Sequence, residues 1–107
     1  MSTLRDIVYQ NYKNQINMSL KELKAWRKNP ISKKASISRK PINMAVRLNS
    51  KPVKKWGLTE IRWAVRKAIP YLKRAKQIKS TKIVAKGYTR NQIALKNWGY
   101  DVKKTLR

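Results

Sequence analysis

Tyr88-Thr89-Arg90-Asn91-Gln92-Ile93-Ala94-Leu95-Lys96-Asn97-Trp98-Gly99 carries both ends of a helix within one short stretch. Thr89 and Gln92 form a T-x-x-Q capping box, and Tyr88 and Ile93 flank it at the spacing of a hydrophobic staple. Gly99 stands where a left-handed residue closes a helix. Ile93, Leu95 and Trp98 supply apolar surface between these signals. A second complete start lies at Met18-Ser19-Leu20-Lys21-Glu22-Leu23, an S-x-x-E box with Met18 and Leu23 as its staple. That helix turns Leu20, Leu23 and Trp26 inward and stops near Asn29, because Pro30 disfavours helical geometry in the residue before it.

Helical signals continue in both directions from these two anchors. Leu4, Ile7, Val8 and Tyr12 follow the i, i+3, i+4, i+8 spacing of an amphipathic helix, with Ser2 or Thr3 placed to cap it. Pro41 suits the first position of another short helix, in which Ile42, Ala45 and Val46 share a face. The longest helix starts after Thr59, and Ile61, Val65, Ala68, Ile69 and Leu72 form its core-facing stripe. Pro70 interrupts that pattern, so the element is kinked or divided there. Between the helices, Ile31 to Lys40 and Asn49 to Gly57 read as basic loops. Arg74 to Lys86 reads as a lysine-rich loop or helix extension, and 102–107 as a frayed tail. Strand signals are weak and no regular repeat is visible. The expected fold is therefore a single all-α domain, spanning 1–107, of four or five short helices joined by basic loops.

Charge dominates the composition. The 107 residues include 28 Lys or Arg and 4 Asp or Glu, a formal net charge of +24. The four Trp and five Tyr are spread along the chain, which sets it apart from a disordered basic tail. Acids occur only at Asp6, Glu22, Glu60 and Asp101, so the long intervals between the last three hold cations without counter-charge. A compact body this basic repels itself, and a polyanion relieves that repulsion. Nucleic acid is the expected partner.

Candidate contacts follow from the basic stretches. Ser32, Lys33, Lys34, Ser36, Ser38, Arg39 and Lys40 interleave short hydroxyls with long cationic arms, a pattern suited to adjacent phosphate oxygens. Lys51, Lys54 and Lys55 follow in the second loop, then Arg66, Lys67 and Arg74 along the long helix. Lys76, Lys79, Lys82 and Lys86 occupy the next connection, and Arg90 opens the last helix. Trp26 and Trp98 read as core, and Trp56 as the anchor of its loop. Trp63 lies opposite the Ile61–Leu72 stripe beside Arg66 and Lys67. It is the one candidate for stacking on an unpaired base, although such a ring more often covers a neighbouring segment of the same protein.

Other chemistries find little support. The chain has no His and no Cys, no P-loop and no pair of acids spaced for joint acid–base work, so neither an enzyme nor a metal or other cofactor is expected. No apolar run reaches the roughly 18 residues of a spanning helix. The first residues lack the apolar centre of a secretory signal, so the chain reads as soluble and unexported.

At Asn17-Met18, Glu22-Leu23, Trp26 and Leu95-Lys96-Asn97-Trp98-Gly99-Tyr100-Asp101, the chain resembles a family of small, largely uncharacterised proteins of bacteria, phages and giant viruses described as DNA-binding. Trp26 to Arg39 is also similar to a lysine-rich module of bacteriophages and giant DNA viruses. The resemblance implies DNA binding and is compatible with a viral origin; it supplies no catalytic residues. Together these observations lead to the expectation of a non-catalytic, largely sequence-independent DNA-binding protein. It would neutralise and compact or protect genomic DNA in a nucleoid, virion or other nucleoprotein compartment. An RNA-binding structural component of a ribonucleoprotein such as a ribosome, and a virion structural or cementing protein, remain open as alternatives. Protein partners within such an assembly fit either. No small-molecule substrate or membrane partner is expected.

Overall fold

The structure is a computed structural model, and it describes residues 3–35, 38–78 and 82–105. Among the described residues five helices carry the fold, one of them composite. α1 (Leu4–Gln15), α2 (Leu20–Lys28) and α3 (Lys40–Ser50) precede a continuous rod made of α4 (Leu58–Trp63), a π-helical turn (Ala64–Ala68) and α5 (Ile69–Ala75); α6 (Arg90–Asn97) closes the domain. The all-α expectation holds.

Local chemistry starts and ends these elements as their sequences predict. Thr3, Ser19 and Thr89 each accept from the backbone N–H three residues on, while Asp6, Glu22 and Gln92 return the bond. α6 ends in a Schellman motif: Gly99 N–H donates to Lys96 O, and Tyr100 N–H to Leu95 O. Gly99 has φ +110°, and its carbonyl accepts from the N–H groups of Asn17 and Met18. The end of α6 is thereby fixed to the start of α2.

Two packed clusters form the core. In one, Val8 and Tyr12 of α1 meet Leu48, Trp56, Leu95 and the rod's Ala64, Ala68, Leu72 and Ala75. In the other, Leu23 and Trp26 of α2 meet Ile42, Ala45 and Val46 of α3 with Tyr88 and Ile93. α3 and α6 contribute to both and so join them. Between α2 and α6, the buried Asn97 accepts from Trp26 Nε1 at 2.7 Å and donates to Ser32 O at 2.9 Å.

Several expectations are corrected. The helix is not divided at Pro70: the rod runs through it from the π turn into α5. Proline there clashes with the carbonyl four residues back and lacks an N–H. The π turn just before it, with Ile69 N–H bonded to Ala64 O, accommodates the ring without ending the helix. The wider turn also changes the phase of the stripe, so Ala64, Ala68, Leu72 and Ala75 are buried while Val65 is exposed. α4 starts two residues earlier than expected, with Gly57 as its cap; Thr59 is exposed. Leu4 and Ile7 are exposed as well, because only the later turns of α1 reach Trp56 and the rod.

The connections are more ordered than their composition suggests. Pro30–Lys33 and Val53–Lys55 are 3-10 turns within the two basic loops. In place of a plain loop before α6, β1 (Ile83–Ala85) pairs antiparallel with β2 (Tyr88–Thr89). Lys86 and Gly87 turn this hairpin with φ of 51° and 80°, the positive values that match the twist of a two-residue turn. Val102–Thr105, expected to fray, forms a 3-10 turn that Lys104 pins to Glu22 and to Asn17 O. Ser2, Ser36, Lys79 and residues 106–107 lie outside the described residues.

A Cβ at position 99 would sit 3.0 Å from Ile16 Cγ2, on a backbone that L side chains rarely adopt. Gly99→Ala should therefore cost about 2 kcal/mol and lower the Tm by roughly 10 °C, measured by circular dichroism. Asn97→Ala should cost about 2–4 kcal/mol in urea unfolding, because it leaves the indole N–H of Trp26 and the carbonyl of Ser32 unpaired in the core.

Candidate nucleic-acid interface

The four carboxylates are all engaged within the protein. Asp6 accepts from Thr3 N–H at the start of α1. Glu22 caps α2 and pairs with Lys104 at 2.8 Å. Glu60 is buried; it accepts from Gly57 N–H at 2.8 Å and pairs with Arg47 at 3.0 Å and Lys51 at 3.3 Å. Asp101 accepts from the Tyr88 hydroxyl at 2.9 Å and pairs with Lys96 at 3.6 Å. The Lys104 ammonium and the Ser19 backbone hold the Glu22 carboxyl down at about 2. Gly57 N–H, then Lys51 and Arg47, lower that of Glu60. Burial and the neighbouring Asp101 raise the Tyr88 phenol.

Against this background the expected contacts separate into two groups. Ser32 is fully buried: its hydroxyl donates to Asn29 O at 2.7 Å and accepts from Arg39 Nη2, so it is closed to a phosphate. Arg39 is half-buried and also donates to Arg27 O. Lys51 serves Glu60. Lys76 donates to Gln15 O and Oε1 and lies 4.3 Å from the Tyr100 ring centroid; burial lowers its ammonium pKa. Arg90 is exposed, although its Nε–H is bonded to Ala35 O. These side chains are tied into the fold, and sequence alone does not distinguish the long-range ties, such as those of Lys76 to Gln15 and of Arg90 to Ala35.

The second group faces solvent. Lys33, Lys34, Lys40, Lys54, Lys55, Arg66, Lys67, Arg74, Lys82 and Lys86 are exposed, as is Ser38, whose hydroxyl accepts from Lys40 N–H. Ser36 and Lys79 lie outside the described residues.

One concentration of this charge has a defined shape. A groove of about 200 Å³ runs between α3 and α4, with Lys40 and Met44 on one wall. Arg62, Trp63, Arg66 and Lys67 form the other, and Thr59 completes the rim. The spacing explains the convergence: 40 and 44 are one helical turn apart, as are 59 and 63, and 62 and 66. Sequence reasoning picked out Lys40, Trp63, Arg66 and Lys67 and missed Arg62 and Met44. The i, i+4 relation of Arg62 to Arg66 is the signal that would have found the arginine. Behind the groove, Trp63 stacks on Trp98 with ring centroids 5.3 Å apart and planes 10° from parallel. Trp98 also stacks on Tyr71 at 4.4 Å. Lys40 Nζ lies 5.4 Å from the Trp63 ring and the Arg74 guanidinium 6.0 Å from that of Tyr71. Trp63 thus covers Trp98 and also lines the open groove.

Among the described residues, no helix is long and apolar enough to cross a membrane. Comparison of the chain with protein-family models, curated proteins and solved structures finds no match.

The lowered carboxyls of Glu22 and Glu60 contribute stability that is complete above their ordinary value of 4.5 and lost as pH falls through their lower folded values. Glu60→Gln should cost about 1–2 kcal/mol at pH 7. The gap between variant and parent should narrow below pH 4.5, as the parent's own carboxyl takes up its proton. Urea unfolding across pH 2–7 measures both.

Proposed function

We propose that the protein is a non-catalytic binder of nucleic acid that grips the phosphate backbone with little sequence discrimination, and that double-stranded DNA is its principal target. The observation that carries this reading is the engagement of every carboxylate by a helix cap or an internal ion pair. Among the described residues, those ion pairs use Arg47, Lys51, Lys96 and Lys104. The other exposed cations among the described residues have no internal ion pair, and a polyanion supplies the counter-charge from outside.

Binding on these terms proceeds by counterion release. Each phosphate neutralised by Lys or Arg frees condensed ions, and that gain fades as bulk salt rises. Exposed lysines on 3-10 turns and helix ends follow a backbone without reading base edges. Neutralised DNA segments repel one another less, so the same contacts compact and shield a genome. Preference for duplex DNA over structured RNA follows from the family resemblance, and compaction in a nucleoid or virion is the corresponding setting.

With ~6–10 phosphates contacted, affinity for a 20-base-pair duplex should fall ~10³–10⁵-fold between 50 and 200 mM salt. An isotherm unchanged over that range overturns the proposal. At fixed salt, structured RNA outcompeting duplex DNA would reassign the protein to a ribonucleoprotein. Arg66→Gln should shallow the salt slope by about 1, whereas Ser32→Ala should leave the slope unchanged.

A further inference from the structure

We propose that the groove between α3 and α4 is a nucleotide site, taking one unpaired base against Trp63 while Lys40, Arg62, Arg66 and Lys67 hold the phosphates on either side. This deepens the proposed function and rests on it: the general charged surface accepts any phosphodiester, and this groove adds a place for a base.

Three observations converge on that occupant. The first is charge. Among the described residues, four cations and no carboxylate line this groove, whereas the groove between α2 and α6 contains Glu22 and Asp101, and the one beside α1 contains Asp6. An anion is drawn to the α3–α4 groove ahead of those two. The second is the ring. Trp63 is half-buried and lines the groove, and its stacking on Trp98 fixes its orientation beforehand. A base that stacks there does so without first ordering the indole, which keeps the entropic cost of binding low. The third is the opposite wall. Met44 is largely buried where it lines the groove, and its polarisable, adaptable side chain can pack against a purine or a pyrimidine alike. Lys40, already over the Trp63 ring, is exposed and flexible enough to swing onto a phosphate as a base arrives.

A free inorganic anion would use the cations and leave the indole and thioether idle. A duplex would use the cations too, but its bases are stacked on each other and offer no face. Only a single strand, a gap or a frayed end satisfies both halves of the groove. The ring and cations address features common to DNA and RNA, so the site is indifferent to the 2′-hydroxyl.

The test compares strands of identical charge. Fluorescence anisotropy at 50 mM salt measures binding of the full chain to a ten-residue oligothymidylate, to the same length of abasic phosphodiester, and to oligouridylate. Oligothymidylate and oligouridylate should bind about 10-fold more tightly than the abasic strand. Trp63→Leu should remove that advantage and leave abasic binding unchanged, with folding checked by circular dichroism. Should Trp63→Leu fail to fold, photo-cross-linking of a 5-bromouracil strand to the parent protein decides instead, with adducts expected at Trp63 or Met44. Equal affinity for base-bearing and abasic strands, or adducts confined to other residues, overturns the base site while leaving phosphate binding intact. Binding to none of the strands overturns both readings.

Discussion

A chain with +24 formal charges and four carboxylates must hold itself together against its own field, and the scarcity of acid dictates how each polar junction is made. No carboxylate is left for decoration. Asp6 and Glu22 close capping boxes, Glu60 is buried between Gly57 N–H and two cations, and Asp101 ties the Tyr88 hydroxyl to Lys96. Every one of these roles joins or starts an element, and none merely balances the surface. The surplus of positive charge therefore belongs to the exterior.

Where a less basic protein would use more ion pairs, this one uses asparagine. Asn17 clasps Asp101 through two hydrogen bonds, accepting from its N–H at 2.7 Å and donating to its carbonyl at 2.9 Å. Asn97 joins Trp26 to the Pro30–Lys33 turn, and Asn49 joins the Tyr12 hydroxyl of α1 to Ala45 O of α3. An amide both donates and accepts, so one side chain satisfies two buried partners without bringing charge into the core. The residues on which the resemblance rests, Asn17, Trp26, Asn97 and Gly99 among them, all hold helix junctions. The spacing of these four in the sequence reflects the demands of packing.

The π turn links this framework to the surface. On its buried side it presents its own Ala64 and Ala68, which lets α1 lie close with Val8 and Tyr12. On its outer side it carries Arg66 and Lys67, which complete the cationic wall begun by Arg62 on α4. One local irregularity thus accommodates Pro70, tightens the core stripe and shapes the groove. π turns often occur at functional sites for this reason, since the extra residue re-aims side chains without ending the helix.

The helices were legible because their signals are local: capping boxes at Ser19 and Thr89, a glycine closing α6 and proline after α2 act within a few residues of where they are written. Trp26 as core and Trp56 as an anchor were legible too, from apolar spacing and from a bulky ring in a polar loop. The Ile83–Thr89 hairpin was not, since its strands are short and its turn depends on a lysine in a rarely adopted conformation. Nor did composition reveal that Ser32, Arg39, Lys51 and Lys76 are committed inward while Lys40, Arg66 and Lys67 remain outside. By itself the sequence determined an all-helical body with an unbalanced positive charge, because both follow from residue identity and short-range spacing. Only the tertiary structure decided which cations meet a carbonyl or a carboxylate and which line a groove with Trp63, because those partners lie far apart in the chain and are brought together by packing alone.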